Sequence, residues 1–221
     1  MPVPGKLHVD SDGKLRGPGF HCSYNDPFPT VNGTAGGGSA QMMGVVMHTE
    51  DGYEQGTIDT FNNPASRASA FFSIGGDGLA HQYGPVGRNW MAWAQGDGNE
   101  SWYSIEDSDG THPSVPLTAA QVTAFAQILE CLSRFAGFPL QLSDSPSVKG
   151  LGWHGMGGAA WGGHPACPGD VRKAQRPAIL ALAKEIRAGS APQPTVEGIV
   201  VALPSGASRK VLSEDGGKHW A

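Results

Sequence analysis

The chain has 221 residues, of which 39% are hydrophobic and 16% charged, with 33 Gly, 17 Pro and 3 Cys and a formal net charge of −5. That length fits one ordinary domain with some extra chain. An acidic balance with no Lys/Arg run longer than two residues excludes a basic nucleic-acid surface, and the longest apolar runs, such as Ala178 to Ala183, fall far short of the roughly 20 residues of a membrane span. The first residues, Met-Pro-Val-Pro-Gly-Lys, lack a charged segment followed by an apolar one, so no signal peptide is expected. Cysteines at 22, 131 and 167 are too few and too far apart for a disulfide framework, and their odd number leaves at least one thiol free.

Residues 1–40 are rich in turn formers, including Ser11-Asp12-Gly13 and the run Gly36-Gly37-Gly38-Ser39, and read as an N-terminal extension with one hairpin. From Met42 to Met47 an apolar run ends at His48, the pattern of a buried strand that delivers a polar residue at its tip. A short helix is expected within Thr57 to Ala70, broken before Pro64. Phe71, Phe72 and Ile74 then lead into Gly75-Gly76-Asp77-Gly78, a turn between two strands. At Thr118 a capping box opens a helix whose apolar residues Val122, Phe125, Leu129, Leu132 and Ala136 recur at helical spacing, and Gly137 ends it. Cys131 lies close to that stripe. A second helix starts at Pro177 and runs to Gly189. Residues 190–221 read as a linker and short C-terminal tail, too short for a core of their own.

The segment from Gly150 to Asp170 carries His154, His164 and Cys167, and the first strand adds His48. Imidazole nitrogens and thiolate sulfur are zinc donors, and catalytic zinc sites keep three protein ligands with one position open. The glycines between them let the chain turn back sharply. A Cys-His nucleophilic pair, with Cys167 as nucleophile and His154 or His164 as base, uses the same residue types.

The strand ending in His48-Thr49, the Phe71 to Gly78 hairpin, the Asn99 to Glu106 segment, a second strand ending in His154 and the Cys167-Pro168-Gly169 turn together resemble the type 2 N-acetylmuramoyl-L-alanine amidases, over residues 41–189. The resemblance implies an α/β fold with a central mixed β-sheet flanked by helices and a zinc site in a surface groove. It assigns residues 41–189 to the catalytic domain and His48, His154 and Cys167 to Zn2+. His164 is the rival second ligand, because the twelve residues between His154 and Cys167 exceed the family's usual spacing. The preferred assignment gives His164 a role toward the substrate carbonyl and Glu106 that of general base. Trp93, Trp102 and Trp161 are candidates for lining the groove. The implied reaction is hydrolysis of the amide between N-acetylmuramic acid and L-alanine, with peptidoglycan as partner. A monomeric endolysin is expected, made in the host cytoplasm and acting on the wall after release. The alternatives are a Cys-His peptidoglycan peptidase and a module that binds wall without cleaving it.

Overall fold

The computed structural model of the protein describes residues 5–25, 28, 32–39, 41–87, 90–112 and 114–189, all within one compact unit. The expected tail, 190–221, lies outside the described residues. Four short strands come first: β1 (His8–Val9), β2 (Leu15–Arg16), β3 (Cys22–Tyr24) and β4 (Gly33–Ala35). They are followed by β5 (Gly44–Glu50), α1 (Glu54–Asn62), β6 (Phe72–Ile74), β7 (Ala80–Gln82), β8 (Trp90–Ala92) and β9 (Trp102–Ser108). Then come α2 (Ala119–Ala136), β10 (Gly150–Trp153), α3 (Asp170–Lys173) and α4 (Arg176–Ala188). Short 3-10 turns occupy Gly96–Glu100 and His154–Trp161.

Six strands form the central sheet in the order β10-β5-β9-β6-β7-β3. Every pairing in it is parallel except β6 with β7, so the sheet is mixed, as expected. The hairpin of the first forty residues is β1 with β2. β3, however, adds the outer strand of the main sheet beside β7, and Leu7 and Leu15 are buried in the common core.

β5 is apolar on both sides because both faces of the sheet are covered. Val45 and Met47 pack in one cluster with Ile105, Phe125, Leu129 and Ile179, which places α2 and α4 over that face. Val46 points the other way and packs with Trp102 and Trp161. The α2 helix starts on the Thr118–Gln121 capping box and ends at Gly137, whose φ of 73° is the left-handed conformation glycine adopts without strain. Arg172 ties α3 to the end of β9: its buried guanidinium donates to the carbonyls of Asp107, Ser108 and Val115. Gly44 is required by close approach, since a Cβ there would lie 1.9 Å from the Gly150 carbonyl oxygen on β10.

On the face opposite α2, register lines up polar side chains across the sheet. His48 is the cross-strand partner of Glu106, Glu106 of Ser73, Ser73 of His81, and His81 of Ser23. Trp153 pairs with Met47, so His154 continues the row one position beyond β10. A continuous polar row on an otherwise buried sheet marks where function sits.

Candidate functional site

His48, His154 and Cys167 each place a ligand atom within 4.8 Å of the others, and among the described residues they are the one such group suited to a metal ion. The strands deliver the two imidazoles side by side, with ring centroids 4.3 Å apart. The turn at Cys167 is tied back by Cys167 N–H to the His164 carbonyl and by Gly155 N–H to the Cys167 carbonyl, both 3.2 Å. Its sulfur accepts the Thr49 N–H at 3.5 Å.

Hydrogen bonding fixes which nitrogen of each histidine is free. The His154 Nε2 lies 2.8 Å from the Trp161 carbonyl, which only accepts, so Nε2 carries the proton and Nδ1 keeps its lone pair. His48 Nε2 lies 2.7 Å from Gln95 Oε1. The Gln95 amide is oriented in turn, because its NH2 donates to the carbonyls of Gly98 and Trp102 at 3.3 and 3.1 Å, leaving Oε1 to accept from His48. Both Nδ1 atoms are therefore acceptors. Committing the far nitrogen to a backbone or amide oxygen is how metal-binding histidines are oriented. Asn99 positions Gln95 by accepting the N–H groups of Ala94 and Gln95 at 2.9 and 2.6 Å.

Electrostatics agree with this donor set. Burial, with the neighbouring imidazole adding to it, holds His48 well below the usual histidine range, and burial lowers His154 too, so both are neutral. Burial, reinforced by Glu106, pushes the Cys167 thiol up to about 12. Without a cation between the three side chains Cys167 is a thiol and is not poised as a nucleophile. Two neutral imidazoles with free Nδ1 lone pairs and one sulfur, grouped as three donors, fit zinc with an open fourth position. Glu106 stands beside them, its Oε1 3.6 Å from His48 Nδ1, and burial raises its carboxyl to about 8.

The structure thus brings together His48, His154, Cys167 and Glu106. His164 lies outside the donor group: it is exposed, with its ring 4.9 Å from that of His154. The long segment between His154 and Cys167 begins with two 3-10 turns, His154–Trp161, that meet at a kink at Gly158, and the Trp161 carbonyl at their end is what holds His154. Of the three tryptophans, Trp102 and Trp161 are buried against Val46 and do not line a groove. Trp93 is half-buried and donates through Nε1 to Thr34. Gln95 went unnoticed in the sequence, where it sits before a Gly-Asp-Gly turn with no motif to single it out.

Residues 38–170 match the family model described as N-acetylmuramoyl-L-alanine amidase. No curated protein sequence matches the chain. Among solved structures, the Staphylococcus aureus hydrolase AmiA in complex with its ligand shares 15% identity at a TM-score of 0.57, covering 86% of this chain and 98% of AmiA. An AmpD selenomethionine derivative shares 17% identity at a TM-score of 0.53, covering 76% of this chain and 97% of that one. At such identities the likeness is one of fold. The family match spans more than half of the sequence and contains His48, Glu106, His154, His164 and Cys167, and on that ground the chain belongs to the N-acetylmuramoyl-L-alanine amidase family of hydrolases.

Proposed function

We propose that the protein is a zinc-dependent peptidoglycan amidase that cleaves the amide between the lactyl group of N-acetylmuramic acid and L-alanine. The observation that supports this most is the convergence of His48, His154 and Cys167 with both histidine Nε2 atoms already committed, in a chain of this family. His48 Nδ1, His154 Nδ1 and Cys167 Sγ would hold the ion. Bound there, zinc supplies a Lewis acid for the amide carbonyl and makes water a competent nucleophile near neutral pH.

The chain's own groups do the proton work. Glu106, at the end of its row position next to His48, takes the proton of the attacking water on a carboxylate oxygen and passes it to the departing nitrogen, so one group serves as base and then acid. His164 stands on the solvent side of His154, where a ring N–H donates to the oxygen that gains charge as the carbonyl is attacked. Gln95 and the Trp161 carbonyl keep the two buried imidazoles in one tautomer throughout.

The test is release of new L-alanine amino termini from purified peptidoglycan, lost on chelation and restored by zinc. Activity that survives metal removal and is abolished by thiol alkylation refutes the reading in favour of the Cys-His peptidase; wall binding without release favours the non-catalytic module. We further assign the activity to an endolysin made in the host cytoplasm and acting on the wall once released. Lysis of host cells only when the inner membrane is breached is the test of that assignment.

A further inference from the structure

The polar row that starts at His48 ends, four strands away, on a second group of reactive side chains: Ser23 on β3, His81 on β7 and Asn25 just beyond β3. At about 4.8 Å per strand this group lies roughly 19 Å from His48, and none of it belongs to the metal-binding cluster. The Asn25 NH2 donates to Asn62 Oδ1 at 2.8 Å, which turns Asn25 Oδ1 toward His81 Nε2, also at 2.8 Å. His81 Nε2 therefore carries the proton and Nδ1 keeps its lone pair. Ser23 Oγ lies 2.6 Å from that Nδ1 and 3.4 Å from the Ala80 carbonyl oxygen, so the hydroxyl donates to the imidazole. His81 is 7% exposed and its ring lies 4.6 Å from that of Tyr83, which is held in turn by Phe61 and by the Ser73 hydroxyl at 2.7 Å. Ser23, by contrast, is exposed on the outermost strand of the sheet. A hydroxyl open to solvent, an imidazole lone pair within hydrogen-bond reach and a third group that orients the imidazole make up the arrangement of an activated nucleophile.

We propose that Ser23 is a nucleophile toward carboxylic esters, with His81 as its base and Asn25 as the residue that positions His81, in a reaction separate from that of the metal-binding cluster. Ser23 Oγ attacks the ester carbonyl carbon as its proton passes to His81 Nδ1. The tetrahedral adduct expels the alkoxide, which takes the proton from Nδ1 and leaves as the alcohol, so Ser23 ends as an acyl ester and His81 as a neutral imidazole. Water attacking that ester, with its proton passing through Nδ1 to Ser23 Oγ, releases the carboxylic acid and restores the serine. Burial lowers the His81 pKa, so the imidazole is free to act as a base at neutral pH while its charged form is disfavoured. That balance suits esters, whose leaving group needs little help from an acid, over amides.

The experiment treats the full chain, as purified, with p-nitrophenyl acetate at neutral pH, follows p-nitrophenol release, and locates acetyl groups by peptide mass spectrometry after an acid quench. Acetylation of Ser23 is expected to be about 100-fold or more faster in the folded protein than in the same chain unfolded in urea, the contribution of a positioned base. His81→Gln should lose that advantage, Asn25→Ala should lower it, and Asn25→Asp, whose carboxylate still accepts from Nε2, should restore it. Equal rates of Ser23 acetylation in the folded and unfolded chains overturn the proposal without relying on any variant. So does the absence of acetyl on Ser23 when p-nitrophenol is released no faster than by Ser23→Ala. A rate unchanged in His81→Gln overturns the role of the base, and a rate unchanged in Asn25→Ala overturns the positioning role. Acetyl carried by Ser23 is read apart from peptidoglycan cleavage, so the failure of this proposal and the failure of the amidase reading are distinguishable.

Discussion

Gln95→Met tests the idea that the free nitrogen of His48 is set from behind. The substitution nearly preserves volume and removes one acceptor and two donors from a side chain that is 2% exposed. The Gly98 carbonyl retains the Ser101 N–H at 3.3 Å, so the group left most clearly without a partner is His48 Nε2–H. An unsatisfied buried donor costs about 1–3 kcal/mol. His48 can avoid that cost by moving its proton to Nδ1, toward Glu106 Oε1 at 3.6 Å, but Nδ1 is the atom that the proposed zinc site uses as a ligand. Zinc affinity is therefore expected to fall about 10–100-fold, the usual effect of losing a group that orients a metal-binding histidine. Stability of the metal-free protein should fall by no more than about 3 kcal/mol. Competition against a chromophoric chelator gives the first quantity and denaturant unfolding after chelation gives the second. Zinc affinity within twofold of the unmodified protein, alongside a measurable stability loss, would refute the tautomer argument.

Glu106→Gln should retain zinc but lose about 100–10,000-fold in kcat, the range for removing a general acid–base, and a loss below tenfold contradicts its role. Gly44→Ala forces β5 and β10 apart, because its Cβ meets a backbone oxygen at 1.9 Å; unfolding by denaturant should show about 1–3 kcal/mol of destabilisation, with weaker zinc binding as His48 and His154 separate. Burial lowers the His81 pKa in the folded state, so below the unfolded value of about 6.5 the unfolded chain takes up a proton that the folded chain does not. Stability of the unmodified protein should therefore decline relative to His81→Gln as pH falls from about 7 to 5, and a pH-independent difference between the two rules this out.

Local signals made much of the fold readable. The helix at 119–136 announces both ends, through Thr118 with Gln121 and through Gly137, and its apolar spacing fixes its buried face. The hairpin of β6 and β7 follows from its glycine turn, and the strands ending near His48 and His154 from their apolar runs. β3 is different: three residues with one exposed serine carry no period, and its place beside β7 depends on a pairing 58 residues away. The candidate ligands were visible because His and Cys are rare donors grouped near glycine turns. Their tautomers were not, since they depend on Gln95 and on the Trp161 carbonyl, groups that no side-chain pattern reveals. Nor did sequence separate Trp102 and Trp161 from a groove, because aromatic residues suit a core as well as a sugar face. The choice between His154 and His164 awaited geometry for a similar reason: both lie in one glycine-rich segment, and only the turn from 154 to 161 shows which ring faces His48.

The most direct test of the central claim is the zinc content of the purified protein measured beside His154→Ala and His164→Ala. One equivalent of zinc in the unmodified protein and in His164→Ala, with almost none in His154→Ala, is the predicted result. Zinc kept by His154→Ala and lost from His164→Ala, or no zinc bound by the unmodified protein after dialysis against it, would contradict the account.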